Sequence, residues 1–248
     1  MNKLLKVFAM TLMLVLGGHA MAQTHGTMFL GASFPMGDFG KVNNLNSTAL
    51  WGNEQQTFGG AGIGFNAGLK WDFGVGIPGL AVVLSVDGLY NGPSSDMKQC
   101  YKDKANQVDF LNNEVDQTTP KYINVPAMLG LRYTFYLTPQ LAIYAEGAVG
   151  GNARFITDYT MKYTDLLSVK HTNTEDYSTA FTFAYQAGLG IEVSKNLVIG
   201  CSFYDLGGAT VKGEATNKPG LIIDSDNYDI SRGTLKPVMV LGRIGFRF

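Results

Sequence analysis

The last eleven residues, Val238 to Phe248, read VMVLGRIGFRF and separate into two faces when taken alternately. Val238, Val240, Gly242, Ile244, Phe246 and Phe248 form one set; Met239, Leu241, Arg243, Gly245 and Arg247 form the other. Successive side chains of a strand point to opposite faces, whereas a helix would mix these sets. The segment is therefore a β-strand between two unlike environments, one apolar and one that accepts two arginines. Its backbone needs neighbouring strands, and the rest of the chain must supply them.

The same two-residue period recurs at Thr27 to Pro35, Gly62 to Phe73, Leu80 to Asn91, Tyr122 to Phe135, Leu141 to Phe155, Phe181 to Val193 and Leu197 to Leu206. With the closing segment this makes eight strands. Short turn-rich stretches at 74–79, 138–140 and 194–196 alternate with long polar segments, roughly 36–58, 92–119, 156–178 and 208–233. Pro126 lies inside the fourth strand, cannot donate to a ladder, and predicts a bulge or kink there.

The amino terminus predicts export. Lys3 and Lys6 precede an apolar run from Val7 to Leu16, and Ala20-Met21-Ala22 follows as a small-x-small site. Residues 1–22 are expected to be a cleaved signal peptide and 23–248 a single β-barrel domain. The formal charge of -1 becomes -3 once Lys3 and Lys6 are removed, a balance that argues against a nucleic-acid partner. Cys100 and Cys201 fall on a polar segment and on an apolar strand face, so they are expected to stay unpaired.

Three patterns place the apolar face outside. It carries the bulky Phe, Tyr, Trp, Leu and Ile, while the other face is mostly Gly, Ala, Ser, Thr and Asn, which suits a narrow interior. Its aromatics gather at the strand ends: Trp71, Phe73, Tyr133, Phe135, Phe246 and Phe248 at the short-turn end, Phe34, Tyr90, Phe155 and Phe181 at the other. Two such girdles belong to a membrane-spanning barrel, which also keeps its short turns in the periplasm and its long loops outside the cell. The predicted fold is all-β: an eight-stranded antiparallel up-and-down transmembrane β-barrel. A soluble barrel with the faces inverted is the competing architecture.

In that orientation the inward face carries Lys70, Asp72, Asp87, Arg132, Glu146, Glu192, Arg243 and Arg247, four charges of each sign. Charges in a narrow interior are costly unless paired. Arg154, near the outer mouth, is set aside. The eight are expected to form a structural salt-bridge network that plugs the lumen, with Asp87, Glu146 and Arg243 near mid-height.

No catalytic, metal or cofactor site is expected. The mature chain holds only His25 and His171, without the spacing that metal ligation requires. His171 has Ser168 and Asp176 as neighbours, a spacing that a lipid-modifying barrel enzyme could use but that any polar loop could show. The pairs Asp224/Asp226 and Glu175/Asp176 lack the regular spacing of a calcium loop. The run GGAGIGFNAG precedes no helix and is not a dinucleotide motif.

The signal peptide, the eight alternating strands and the terminal RIGFRF together resemble the small outer-membrane β-barrel proteins of the OmpA-like transmembrane-domain and OmpX/OmpW-like type. The strand YINVPAMLGLRYTF, Tyr122 to Phe135, looks like the barrel domains common in Bacteroidota. The resemblance implies an integral protein of the Gram-negative outer membrane, in contact with its lipids, folded by the barrel-assembly machinery and monomeric. It also implies that Phe246 and Phe248 act as the assembly signal. A structural or surface-interaction role through the outer loops is the leading expectation. A narrow pore or transporter for small solutes and an outer-leaflet lipid-modifying enzyme are the alternatives.

Overall fold

The structure, a computed structural model, describes residues 24–42, 59–108, 116–164, 169–194, 196–219 and 226–248. The expected signal peptide lies outside these residues. In chain order the described elements begin with β1 (Thr24–Met36), β2 (Gly64–Gly74), β3 (Leu80–Asn91), helix α1 (Ser95–Val108) and β4 (Asp116–Gln117). Next come β5 (Tyr122–Thr138), β6 (Leu141–Ile156), β7 (Tyr159–Thr164) and β8 (Lys170–Tyr177). The chain finishes with β9 (Ala180–Val193), β10 (Leu197–Asp205), β11 (Ala209–Pro219), β12 (Asp226–Leu235) and β13 (Val238–Arg247).

Eight of these strands close a barrel in the order β1-β13-β10-β9-β6-β5-β3-β2, every pair antiparallel. They coincide with the eight strands predicted from the alternation. Starting at Thr24, the register passes through Phe73, Val82, Leu131, Gly147, Ala187, Phe203 and Val240 and returns to β1 at Phe34. The circuit ends ten positions beyond its start, and this stagger tilts every strand against the barrel axis.

The faces segregate as the period demands. Leu30 is 63% exposed, Val149 52% and Phe246 58%, whereas Lys70, Arg132 and Asn66 are each 1% exposed. The apolar side chains therefore face outward and the charged ones inward. Among the described residues no helix is long and apolar enough to cross a membrane.

Three expectations are corrected. Pro126 causes neither bulge nor kink in register: the β3–β5 pairing keeps one register from Val86↔Ala127 to Leu89↔Asn124, and only the pairs between lapse. The irregularity of β5 lies instead at Tyr136/Thr138, where it turns into β6. The missing proline donor costs a local gap in one ladder while the other, to β6, runs through Pro126↔Asn152.

The long connections are also not mere loops. Five further strands form a second sheet, in the order β12-β11-β8-β7-β4. This order repeats that of the barrel strands β13, β10, β9, β6 and β5, from which the outer strands are separated by a few residues. One side of the barrel wall thus continues past the mouth as an open sheet. Its inner face carries Tyr159, Met161, Val211, Ala215 and Leu235, all buried.

Finally, small residues and charges do not fill the whole interior. Helix α1 starts where the Ser94 hydroxyl accepts the Met97 N–H at 3.2 Å, an N-cap contact. Met97 and Tyr101, four apart on one helix face, pack with Phe39, Leu89, Tyr122, Tyr159, Met161 and Leu235. This apolar core runs down into the barrel through Met128, Tyr204, Met239 and Leu241. It lies toward the long-connection end of the barrel.

Candidate functional site

The register brings the eight predicted interior charges into two groups. The first gathers Lys70, Asp87, Glu146 and Arg243. Lys70 donates to Glu146 Oε1 at 2.5 Å, and Gln186 donates to the same oxygen at 2.6 Å. Arg243 reaches Asp87 Oδ1 at 3.0 Å and the Ser202 hydroxyl at 2.7 Å, and lies 3.9 Å from Glu146. Tyr204 donates to the other Asp87 oxygen at 2.7 Å. Phe29, inward on β1, offers its ring to both cations, with centroid distances of 5.0 Å to Lys70 and 5.1 Å to Arg243.

The second group gathers Asp72, Arg132, Glu192 and Arg247 nearer the short-turn end. Arg132 bonds Asp72 at 3.1 Å and also Glu192. Arg247 clasps both oxygens of Glu192, at 2.5 and 2.6 Å, and reaches Asp72 at 3.1 Å. Tyr144 lies against the Arg132 guanidinium, 3.7 Å from its ring centroid. Each group holds two acids and two bases, so each is neutral, which is what makes such burial tolerable.

Small residues give these side chains room. A Cβ on Gly68 would lie 2.0 Å from Asp87 Oδ1, and Cβ atoms on Gly190 and Gly200 would lie 2.6 and 2.3 Å from the Tyr144 hydroxyl. Gly68→Ala is therefore expected to push the Asp87 carboxylate off Arg243. The expected cost is about 1–3 kcal/mol in denaturant unfolding, the usual scale for overpacking. A variant as stable as the parent would show that Asp87 moves freely.

Arg154 is 1% exposed and stands apart from both groups. Its guanidinium bonds the carbonyls of Leu235 at 2.7 Å and Ala209 at 3.1 Å. Asparagines line the neighbouring interior: Asn152 donates to Asn124 at 3.1 Å, and Asn91 to Ser33 at 2.8 Å. Among the described residues, both amide atoms of Asn66, Nδ2 of Asn124 and Oδ1 of Asn152 find no hydrogen-bond partner. Sequence reading set Arg154 aside and gave these asparagines no role, although their inward phase was legible.

The outer sheet presents a polar face. Glu214 pairs with Asp176 on one side and Asp229 on the other, and Thr216 pairs with Thr174, which pairs with Thr160. Beyond them Thr172 stands between Lys162 and Lys218. Burial and the adjacent Asp176 hold the Asp158 carboxyl above the usual range. His171 and Asp176 lie on opposite faces of β8, and His171 stacks on Tyr163 at 5.0 Å. The His171/Asp176 pairing is thereby overturned, while Ser168 and Asp224 lie outside the described residues. Among the described residues no three His, Cys, Asp or Glu side chains are grouped to hold a metal. Phe246 and Phe248 are exposed on the outer face, as is Cys201, and Cys100 lies on α1.

No protein-family model and no curated protein matches the chain. Solved structures similar to it include Ail, the attachment invasion locus protein of Yersinia pestis, at 14% identity and a TM-score of 0.42, covering 91% of this chain and 99% of that one. The outer membrane protein OprG from Pseudomonas aeruginosa is similar at 11% identity and a TM-score of 0.44, covering 90% and 95%. LpxR from Salmonella typhimurium is similar at 10% identity and a TM-score of 0.24, covering 90% and 99%.

Proposed function

We propose that this chain is an integral outer-membrane barrel whose lumen is plugged and whose outer sheet meets partners outside the cell. The observation that carries the reading is the inversion of the usual order of burial. Leu, Ile, Val and Phe side chains cover the outside of a closed barrel, while charged and amide side chains fill its inside. Only a hydrocarbon surrounding makes that inversion favourable. Closure also removes the unpaired strand edges that lipid cannot satisfy.

Two features support a plug. The paired charges occupy the lumen from β2, β3, β5, β6, β9 and β13, and the apolar core under α1 lies toward its outer end. With no conduit to offer, the barrel's useful surface is the exposed face of the outer sheet, with its acidic, threonine and lysine rows. A role in holding or contacting something outside the cell fits that surface better than transport does. The unpaired amide atoms of Asn66 and Asn124 favour a second reading, a narrow polar path through the interior.

The mature chain refolded in detergent is expected to run at a different SDS-gel mobility before and after boiling, because a closed barrel resists SDS until heated. In planar bilayers it is expected to show no steady conductance. Folding in plain buffer without detergent would mean that the apolar face is not lipid-facing. Steady ion conductance would replace the plug with the pore.

A further inference from the structure

Arg154 is a buried charge that neither neutral group includes. It sits on β6, where its Cα neighbours are Asn124 of β5 and Ala180 of β9. Its two hydrogen bonds nevertheless go to neither strand. They reach Ala209, the first residue of β11, and Leu235, the last of β12. Ala209 and Leu235 are themselves a cross-strand pair, the one at the base of the β11–β12 hairpin. One guanidinium therefore grips both carbonyls at that base from another part of the barrel wall.

Two short connections lie beneath this base, joined to each other by the Leu206 N–H donating to the Pro237 carbonyl at 2.9 Å. Residues 206–208 and 236–237 separate β10 from β11 and β12 from β13, and Gly207 has φ +71, a conformation that side-chain-bearing residues rarely adopt. The pairing of β11 with β12 also slips a register between Thr210 and Lys212, just past the grip. Above it the hairpin is bound sideways to β8, and β8 to β7. Below it the underside of the sheet rests on α1 through apolar contacts, which resist lateral sliding far less than a directed hydrogen bond.

We propose that Arg154 is a latch: it ties the base of the β11–β12 hairpin to β6 of the barrel wall, and its loss lets the hairpin open from that base. A guanidinium held by two carbonyls makes strong hydrogen bonds, and breaking them would strand a buried charge, so the grip is costly to release. The positioning role rests on the barrel's own geometry and does not depend on which solvent surrounds the outer face.

Hydrogen exchange on the refolded protein tests it. In Arg154→Met, amides of 209–219 and 226–235 are expected to exchange about tenfold faster or more, the scale of a lost charged hydrogen bond. Amides of β1, β2 and β3 should be unchanged and the folded gel band retained. Unchanged exchange in the hairpin, or equal acceleration in β1 to β3, overturns the latch. If the methionine variant does not fold, Arg154→Lys takes its place. It keeps the charge but lacks the planar fork that spans two carbonyls, so faster hairpin exchange is still expected, and parental exchange overturns the proposal.

Discussion

Glu146→Ala should be among the most damaging single changes the barrel can receive, costing about 3–5 kcal/mol of unfolding free energy in lipid vesicles. Glu146 Oε1 takes hydrogen bonds from Lys70 and Gln186 and lies 3.9 Å from Arg243. Arg243 would keep Asp87, but Lys70, 1% exposed, would lose the carboxylate it is paired with among the described residues. An ammonium stranded in that interior costs far more than the bond it lost. Joining Lys70→Met to Glu146→Met removes both charges and should recover most of the loss, because a buried pair is often no better than well-packed apolar residues. A double variant as unstable as the single one would show that the shape of Glu146, and not its charge, is what the lumen needs.

The second large effect is on the outer surface. Val149 lies near the middle of β6 with its side chain outward, and Phe155 lies near the outer end of the same strand. If lipid surrounds the barrel, Val149→Arg should cost about 2–4 kcal/mol and Phe155→Arg about 0–1 kcal/mol, because the penalty follows depth. In water neither arginine would be penalised, since surface substitutions rarely change stability by more than about 0.5 kcal/mol. Equal, negligible costs at the two positions would therefore turn the barrel inside out as a physical object. Equal and large costs would instead show that both sites pack against protein.

These positions also show why some of the molecule was legible in the sequence. The barrel strands announce themselves because each separates two environments, so Val238 to Phe248 sends both its arginines to one side and all its aromatics to the other. The interior charges were assignable to the lumen for the same reason, but which acid meets which base depends on the ten-residue stagger, and periodicity carries no stagger. Asp87 and Arg243 meet although they lie 156 positions apart, for example.

The outer sheet was missed because its strands carry few apolar residues on either face, so the two-residue period is faint. In β7 the signal is Tyr159, Met161 and Tyr163 among Thr and Lys, and in β11 it is little more than Val211 and Ala215. Helix α1 had a readable start in Ser94-Ser95-Asp96 and a matched pair in Met97 and Tyr101, but its polar remainder resembled a loop. Pro126 was over-read: a proline disturbs only the ladder into which its missing N–H would have pointed.

The repeated strand order of barrel and outer sheet has a mechanical consequence. A pull on the tip of the outer sheet runs down the backbones of β6, β9, β10 and β13 along their length. The load then passes to the rest of the barrel through the β13–β1 and β5–β3 ladders, whose hydrogen bonds lie across the pull and share it side by side, whereas a pull across the strands would break them one at a time. Whatever tugs on this surface tugs on the strongest direction the barrel has.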